Sequence, residues 1–499
     1  MMSFFKGRAR AGLTALALAA ALTPGAGCGR RPSAIDMAEQ RADVGLTAPP
    51  PAATSTTLSD DEFVSVLSKD GRPVVEDTIA VSPVDTKVVV AGGIWLRNNN
   101  AENLCVAYRS EDGGVTWSTP QVIPFPDNGK QYNRSGDPVL AVDRAGVFYY
   151  AFLLTMGEVL PGAINLIRSG VAVSRSLDGG RTWEPARVIV NREQAQATSR
   201  LFDDKEWMAV DTSGGPRDGT VYVHWQIMDN NGTRPTLSTL VVSKSTDRGL
   251  TWSEPKPMDE KRVTGAANIA VGPRGELVSS STDTTGFYRV RSSLDGGETW
   301  GPALRGPEMR YGSSGNLPNT SIPLTPVQAM AFDHSLTSRR GRLYFVYPGG
   351  ASQTQGSSAA VWFRYSDNLG QTWSDAVRLG GDPAQRRDAL MPSVAADPHT
   401  GDVVVAWLDR RDDPANVNAR LYAARSRDGG RTFEAPRPYS DPFSINTSFL
   451  GEYNHVASHY GRAVAAFSDA AGAISVARLP FCKGATDCGG ARGLGRRRW

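Results

Sequence analysis

The sequence predicts an all-β fold, a single β-propeller of four-stranded blades, and two repeats carry that expectation. The first is a hairpin signature, Ser-x-Asp-x-Gly-x-Thr-aromatic. It reads Ser110-Asp112-Gly114-Thr116-Trp117, Ser176-Asp178-Gly180-Thr182-Trp183 and Ser245-Asp247-Gly249-Thr251-Trp252. It returns as Ser293-Asp295-Gly297-Thr299-Trp300, Ser366-Asn368-Gly370-Thr372-Trp373 and Ser426-Asp428-Gly430-Thr432-Phe433. The second repeat is a short apolar strand with alanine at one place: Ala80, Ala141, Ala209, Ala270, Ala331, Ala395 and Ala457, spaced by 61, 68, 61, 61, 64 and 62 residues.

Each element of the signature has a local reason. An alternating apolar run such as Cys105-Val106-Ala107-Tyr108 enters the turn and a Thr-aromatic pair leaves it. The Asp side chain accepts bonds from N–H groups of its own turn, and the Gly takes φ > 0. Asn368 keeps an acceptor oxygen and Phe433 keeps a ring, so both departures are conservative. These Asp residues are expected to be structural.

Each alanine strand is followed by a turn, such as Asp397-Pro398-His399-Thr400-Gly401, and then by a second strand, such as Val403-Val404-Val405-Ala406-Trp407. Two strands plus one hairpin make four per period, the pattern of a propeller blade. Small residues suit the strand nearest the axis, where space tapers. The seventh unit ends one strand short after Ile474-Ser475-Val476-Ala477, and Phe63-Val64-Ser65-Val66-Leu67 supplies a candidate outer strand. Closing the ring with both chain ends removes exposed edges. Seven blades are therefore expected, with six as the alternative.

The ends read as addresses and tethers. Lys6, Arg8 and Arg10 precede an apolar run from Ala11 to Leu22 and the small residues Gly25-Ala26-Gly27, which marks residues 1–27 as a secretory signal. Cys28 after Ala-Gly resembles a bacterial lipobox and is the expected lipidation site, with plain cleavage nearby as the alternative. Residues 28–60, rich in Pro, Ala, Thr and Ser, form a tether that cannot bury a core. The propeller is expected over 61–481. The tail, 482–499, holds Cys482 and Cys488 in a small loop that an oxidising compartment would close as a disulfide. Cys105, between Leu104 and Val106, reads as a buried small hydrophobe.

Composition narrows the function classes. Lys and Arg total 54 against 51 Asp and Glu, a net charge of +3, so no global field argues for nucleic acid or an acidic membrane. Contact with a membrane is expected only through an N-terminal lipid. No cofactor and no metal are expected: His455 and His459 are four apart on a strand, ~13 Å, too far to share a zinc ion. His224, His334 and His399 are scattered, and Asp229-Asn230-Asn231-Gly232 reads as a turn. The chain is expected to act as a monomer.

Topology gathers one set of side chains. Loops entering each first strand, and loops joining second to third strands, share one face of the ring, opposite the Asp hairpins. Arg134, Asp137, Asp203, Asp204, Glu206, Arg387, Asp388, Asp409, Arg410, Arg411, Asp412, Glu452 and Tyr453 all fall there. An anionic or polyhydroxylated ligand such as a glycan needs that mixture of Arg and carboxylate. The competing reading makes them ion pairs and turn caps between blades.

The hairpins resemble the Asp boxes of sialidases and other bacterial-neuraminidase-repeat proteins, over roughly residues 61 to 480. That resemblance implies an exported sialidase-type glycosidase for sialic acid or another acidic glycan, although non-enzymatic surface propellers share the box and fold alone does not assign chemistry. Sialidases hold the sugar carboxylate with three arginines and use a Tyr nucleophile assisted by Glu, with an Asp acid/base. By that pattern Arg134, Arg387, Arg410 and Arg411, with Asp137, are candidate substrate-binding residues. Tyr453, Glu452, Asp204 and Asp388 are candidate catalytic residues. Neighbours on a strand point to opposite faces, so Tyr453 would look to Asp204 or Asp388 rather than Glu452; Tyr288 and Tyr311 are lesser candidates. Two departures stand out. The family's early Phe/Tyr-Arg-Ile-Pro motif is replaced by Pro73-Val74-Val75-Glu76-Asp77, and sialidases have six blades.

Overall fold

A computed structural model describes residues 64–479, apart from 69–70, 98–101, 128–131, 161–162, 194–200, 230–236, 259–262, 284, 310–316, 323, 351–357, 383–385 and 448. The signal, the tether, Cys28, Cys482 and Cys488 lie outside the described residues. Every regular element among those described is a strand.

The strands form seven antiparallel blades. Blade 1 is Val74–Val81, Val89–Arg97, Glu102–Ser110 and Gln121–Val122. Blade 2 is Arg134–Val142, Phe148–Leu160, Ala163–Ser176 and Arg187–Glu193, and blade 3 is Leu201–Val210, Val221–Asp229, Leu237–Ser245 and Lys256–Pro257. Blade 4 is Val263–Val271, Leu277–Asp283, Phe287–Ser293 and Leu304–Glu308. Blade 5 is Ala329–Phe332, Leu343–Gly350, Ala359–Ser366 and Val377–Gly380. Blade 6 is Ala389–Ala396, Val403–Asp409, Asn418–Ser426 and Arg437–Pro438. Blade 7 is His455–His459, Arg462–Ser468 and Ile474–Leu479, completed by Val64–Val66 from the other end of the chain.

That borrowed strand pairs Val64 with Ala477 and Val66 with Ser475, as the missing-strand argument requires. Each alanine-bearing first strand packs against the first strands of both neighbours, and that of blade 7 returns to blade 1. Seven blades therefore share one axis.

The Asp hairpins fall on blades 1 to 6 and are closed by their own side chains. In the first, Thr116 N and Val115 N each donate to Asp112 Oδ1 at 2.9 Å, and Thr116 Oγ1 donates to Oδ2 at 2.6 Å. Ser110 Oγ donates to Asp112 Oδ1 and accepts from Gly114 N. Asn368 keeps the acceptor role toward Thr372 N and reverses the other bond, its Nδ2 donating to Thr372 Oγ1. Gly180 shows why glycine is needed twice over: its φ is +85°, and a Cβ there would lie 2.6 Å from the Val90 side chain of the previous blade. Phe433 fills space between sheets, its ring 4.8 Å from that of Phe363 on blade 5.

A further use of the hairpin was not legible in the repeat. The turn presents a backbone carbonyl to a cation of the preceding blade. Arg109 Nε donates to Gly179 O at 2.7 Å, Arg175 Nη1 to Arg248 O at 2.9 Å, Lys244 Nζ to Gly296 O at 3.0 Å and Arg342 Nη1 to Gly429 O at 2.8 Å. The motif thus closes its own turn and latches its neighbour.

Asp112→Ala is expected to destabilise the protein by about 1–2 kcal/mol, and Asp112→Asn by less, as read from urea denaturation. Partial burial raises the Asp112 carboxyl, but the Thr116 hydroxyl and N–H groups outweigh it and bring it down to about 2. Its contribution is present above the unfolded pKa of about 3.9 and should disappear as pH falls toward 2.

Candidate functional site at the propeller axis

The first strands do not run straight. Their pairing slips between Val75 and Thr78, Gly136 and Val139, Asp204 and Trp207, Gly265 and Asn268, and Leu390 and Ser393. Each slip is a bulge whose residue, four places before the ring alanine, has positive φ: Glu76 (59°), Asp137 (51°), Lys205 (53°), Ala266 (54°) and Met391 (52°). Counting four back from Ala331 and Ala457 gives Val327 and Tyr453. A bulge re-aims a side chain, and all seven of these residues are buried. Blades 7, 1, 2 and 3 supply Tyr453, Glu76, Asp137 and Lys205; blades 4, 5 and 6 supply Ala266, Val327 and Met391. One side of the ring is polar at this level and the other apolar.

Contacts between non-adjacent blades place the polar side on the axis. Tyr453 Oη donates to Pro138 O of blade 2 at 3.2 Å. Lys205 Nζ of blade 3 lies 3.5 Å from the centroid of the Tyr453 ring and 5.3 Å from that of Trp207. Gly451, at φ +92°, lies so near Glu76 that a Cβ would come within 2.8 Å of Glu76 Cγ. Asp204 and Glu206 flank Lys205, and Gln226 Nε2 donates to Asp204 Oδ2 at 3.1 Å.

Burial sets the electrostatics. It drives the carboxyls of Glu76, Asp204 and Glu206 well above the usual range, with the Asp137 charge adding to each. Asp137 is raised by burial and held back by Lys205. Glu452 is pushed up to about 7 by burial, eased by Lys205 and reinforced by Asp137. Burial, then Glu76 and Asp137, raise the Tyr453 phenol well above its ordinary value. Burial therefore shifts this cluster toward its protonated forms, and Glu452, near 7, can both hold and release a proton at neutral pH.

Glu452 and Tyr453 lie in the segment before the first strand of blade 7, which begins at His455. The expectation that strand alternation separates them does not apply, because no strand has started. Asp137, Asp204, Glu452 and Tyr453 are brought into one cluster. Arg134 is fully buried on the same strand as Asp137; burial lowers it to about 10, partly offset by Glu102.

The remaining candidates form a separate network on blade 6. Asp388 Oδ2 accepts from Arg410 Nη1 at 3.0 Å and Asn416 Nδ2 at 2.6 Å, while its Oδ1 accepts from Ala359 N at 2.8 Å. Arg410 also donates to Pro318 O. Arg411 pairs with Asp409 at 2.6 Å and stacks on Tyr422, and Arg387 donates to Pro414 O. Arg134 sits on blade 2 and these arginines on blade 6. Tyr288 is fully buried and donates to Pro326 O; Tyr311 lies outside the described residues. Sequence reasoning missed Glu76 and Lys205, which a count of four residues back from each ring alanine would have found.

A closed ring of seven antiparallel blades with carboxyls crowding its axis is a β-propeller, and its sequence relatives are a sialidase and xyloglucanases. No family model matches the chain. The chain is similar to a sialidase of Micromonospora viridifaciens, 24 % identical over 294 residues, 54 % of this chain and 40 % of that protein. It is also similar to a xyloglucanase of Hypocrea jecorina, 24 % identical over 308 residues, 61 % of this chain and 27 % of that protein. It spans less than half the length of either relative. Among solved structures, a leech intramolecular trans-sialidase aligns with a TM-score of 0.46 at 14 % identity, covering 78 % of this chain and 70 % of that one.

Two outcomes follow from this geometry. Arg410→Ala leaves the Asp388 carboxylate buried without its cation and should cost roughly 3–5 kcal/mol in chemical denaturation. Glu452 and Asp77, the latter raised to about 8 by burial against its Ser468 hydrogen bond, bind protons more tightly folded than unfolded. Native protein therefore holds protons that the unfolded chain has released, and stability should fall as pH rises from about 5 to 8. Asp77→Asn should flatten the upper part of that slope in a thermal-melt series.

Proposed function

We propose that the protein is an exported glycoside-hydrolase-like propeller acting on sialic acid or another acidic glycan. The observation that carries this is Glu452, a carboxyl titrating near neutrality beside Asp137, Asp204 and Tyr453 at the axis. A protonated carboxyl donates to the leaving glycosidic oxygen as general acid, the role for which glycosidases raise one carboxyl above its usual pKa. Asp137, whose carboxylate form Lys205 favours against burial, suits the developing positive charge on the sugar when ionised. Tyr453 keeps its proton on the Pro138 carbonyl, so a Tyr nucleophile requires that bond to be exchanged for one to a carboxylate. The similarity to a sialidase and to xyloglucanases supports a hydrolase. Export rests on the N-terminal signal, with Cys28 as its lipid attachment.

A surface propeller that binds glycan or protein without catalysis is the second reading. The buried Arg410–Asp388 ion pair is the observation on its side, since it withdraws a candidate carboxylate clamp.

An assay against fluorogenic aryl sialosides and neutral aryl glycosides tests the proposal. Wild type is expected to release aglycone, with kcat/KM falling above about pH 7 as Glu452 ionises. Glu452→Gln should lower kcat by about 10²–10⁴-fold. Hydrolysis undiminished in that variant, or binding of acidic glycans with no hydrolysis by folded wild type, would reject the catalytic role.

A further inference from the structure

On the face opposite the candidate site, the seam between blades 6 and 7 does not use the hairpin-carbonyl latch found between blades 1 and 2, 2 and 3, 3 and 4, and 5 and 6. The six Asp hairpins end with blade 6, so blade 7 offers no such turn for its neighbour to grip. Asp397, in the first turn of blade 6, takes over: its Oδ2 accepts from Ser458 Oγ at 3.0 Å and Gly461 N at 2.7 Å of blade 7. Its Oδ1 accepts from His399 N and Thr400 N, both at 2.9 Å. This carboxylate is fully buried and saturated.

Directly beside it two imidazoles from different blades meet. His399 Nε2 and His459 Nε2 are 3.3 Å apart, with their rings perpendicular. That separation lies beyond the roughly 2.7–3.2 Å of protein N–H···O hydrogen bonds. Two nitrogens bound tetrahedrally at about 2.0–2.1 Å stand about 3.3–3.4 Å apart. The Pro83 carbonyl of blade 1 lies near the His459 ring. With Nε2 turned to His399, Nδ1 is the nitrogen left to face that carbonyl, and the tautomer protonated there keeps a lone pair on Nε2. Holding the far N–H of a ligating imidazole on a carbonyl is the usual means of orienting it.

The partner ring is held as well. Tyr460 stacks on His399 with centroids 3.4 Å apart and planes 12° from parallel. Tyr460 and Gly461 form the two-residue turn of blade 7 with φ of 51° and 74°. That turn favours Asn-Gly, and a bulky side chain with positive φ is strained. Stacking on His399 is what a tyrosine contributes there.

We propose that His399 and His459 form a two-imidazole site for a borderline divalent transition-metal ion, of the Zn²⁺, Cu²⁺ or Ni²⁺ class, which staples blade 6 to blade 7 at the closing seam. Imidazole nitrogen suits these ions and not Ca²⁺ or Mg²⁺. In the bound form both imidazoles carry their proton on Nδ1, so that both Nε2 lone pairs face the ion and water completes the coordination. Asp397, its oxygens already occupied, contributes negative charge nearby rather than a ligand. The site is remote from Glu452 and does not depend on the catalytic reading.

Calorimetric titration of the full chain with ZnCl₂ and CuCl₂ tests it, with melting followed in parallel. Wild type should take up one equivalent and melt about 2–4 °C higher at roughly 100 times the dissociation constant. His399→Ala and His459→Gln should each lose that equivalent and the shift, their metal-free melts verifying that they fold. The Cu²⁺ complex should show electron-spin coupling to two imidazole nitrogens. No uptake by wild type, uptake unchanged in both variants, or coupling to other than two imidazoles would overturn the assignment.

Discussion

Closure of seven first strands around a single axis is the constraint on which the rest of the structure depends. A blade alone exposes both of its faces; only the ring, with Val64–Val66 completing the last sheet, leaves each blade packed on both sides. The ring alanines answer the taper at the centre, and the hairpin carbonyls give the arginines and Lys244 a grip on the next blade. Local turn chemistry and global closure thus use the same residues.

Crowding at the axis also explains the charges found there. Seven strands converge where there is little room, and the residue four places before each ring alanine is buried there, on five blades at a bulge. On three blades that side chain is Ala266, Val327 or Met391, which fills space without further demand. On the other four it is Glu76, Asp137, Lys205 or Tyr453, and burial raises the acidic groups among them. Polar groups of this kind weaken a core, so their concentration on one side of the ring is the feature that fold stability alone does not require. It is also the reason for seeking chemistry at Glu452.

The arginines teach the opposite lesson. Arg387, Arg410 and Arg411 lie in mouth-facing loops and suit a sugar carboxylate by residue type, yet their guanidinium groups are spent on Asp388, Asp409 and backbone carbonyls. A loop position says which rim a residue occupies, not whether its donors are free. Internal bonding competes for the same groups that a ligand would use, and in Arg410 Nη1 goes to Asp388 and Nη2 to the Pro318 carbonyl.

By itself the sequence determined the strand-turn-strand units, the seven-fold count and the borrowed closing strand. These rest on local requirements, an acceptor at Asp112, a glycine at Gly180, a small residue at Ala80, which every repeat must meet again. Only the tertiary structure decided which side chains meet. His399 and His459 are one blade period apart and read as unrelated until the ring lays their turns side by side. Lys205 touches Tyr453 across three blades. Burial, and with it the protonation of Glu452, depends on atoms drawn from several blades at once, and no spacing along one chain encodes it.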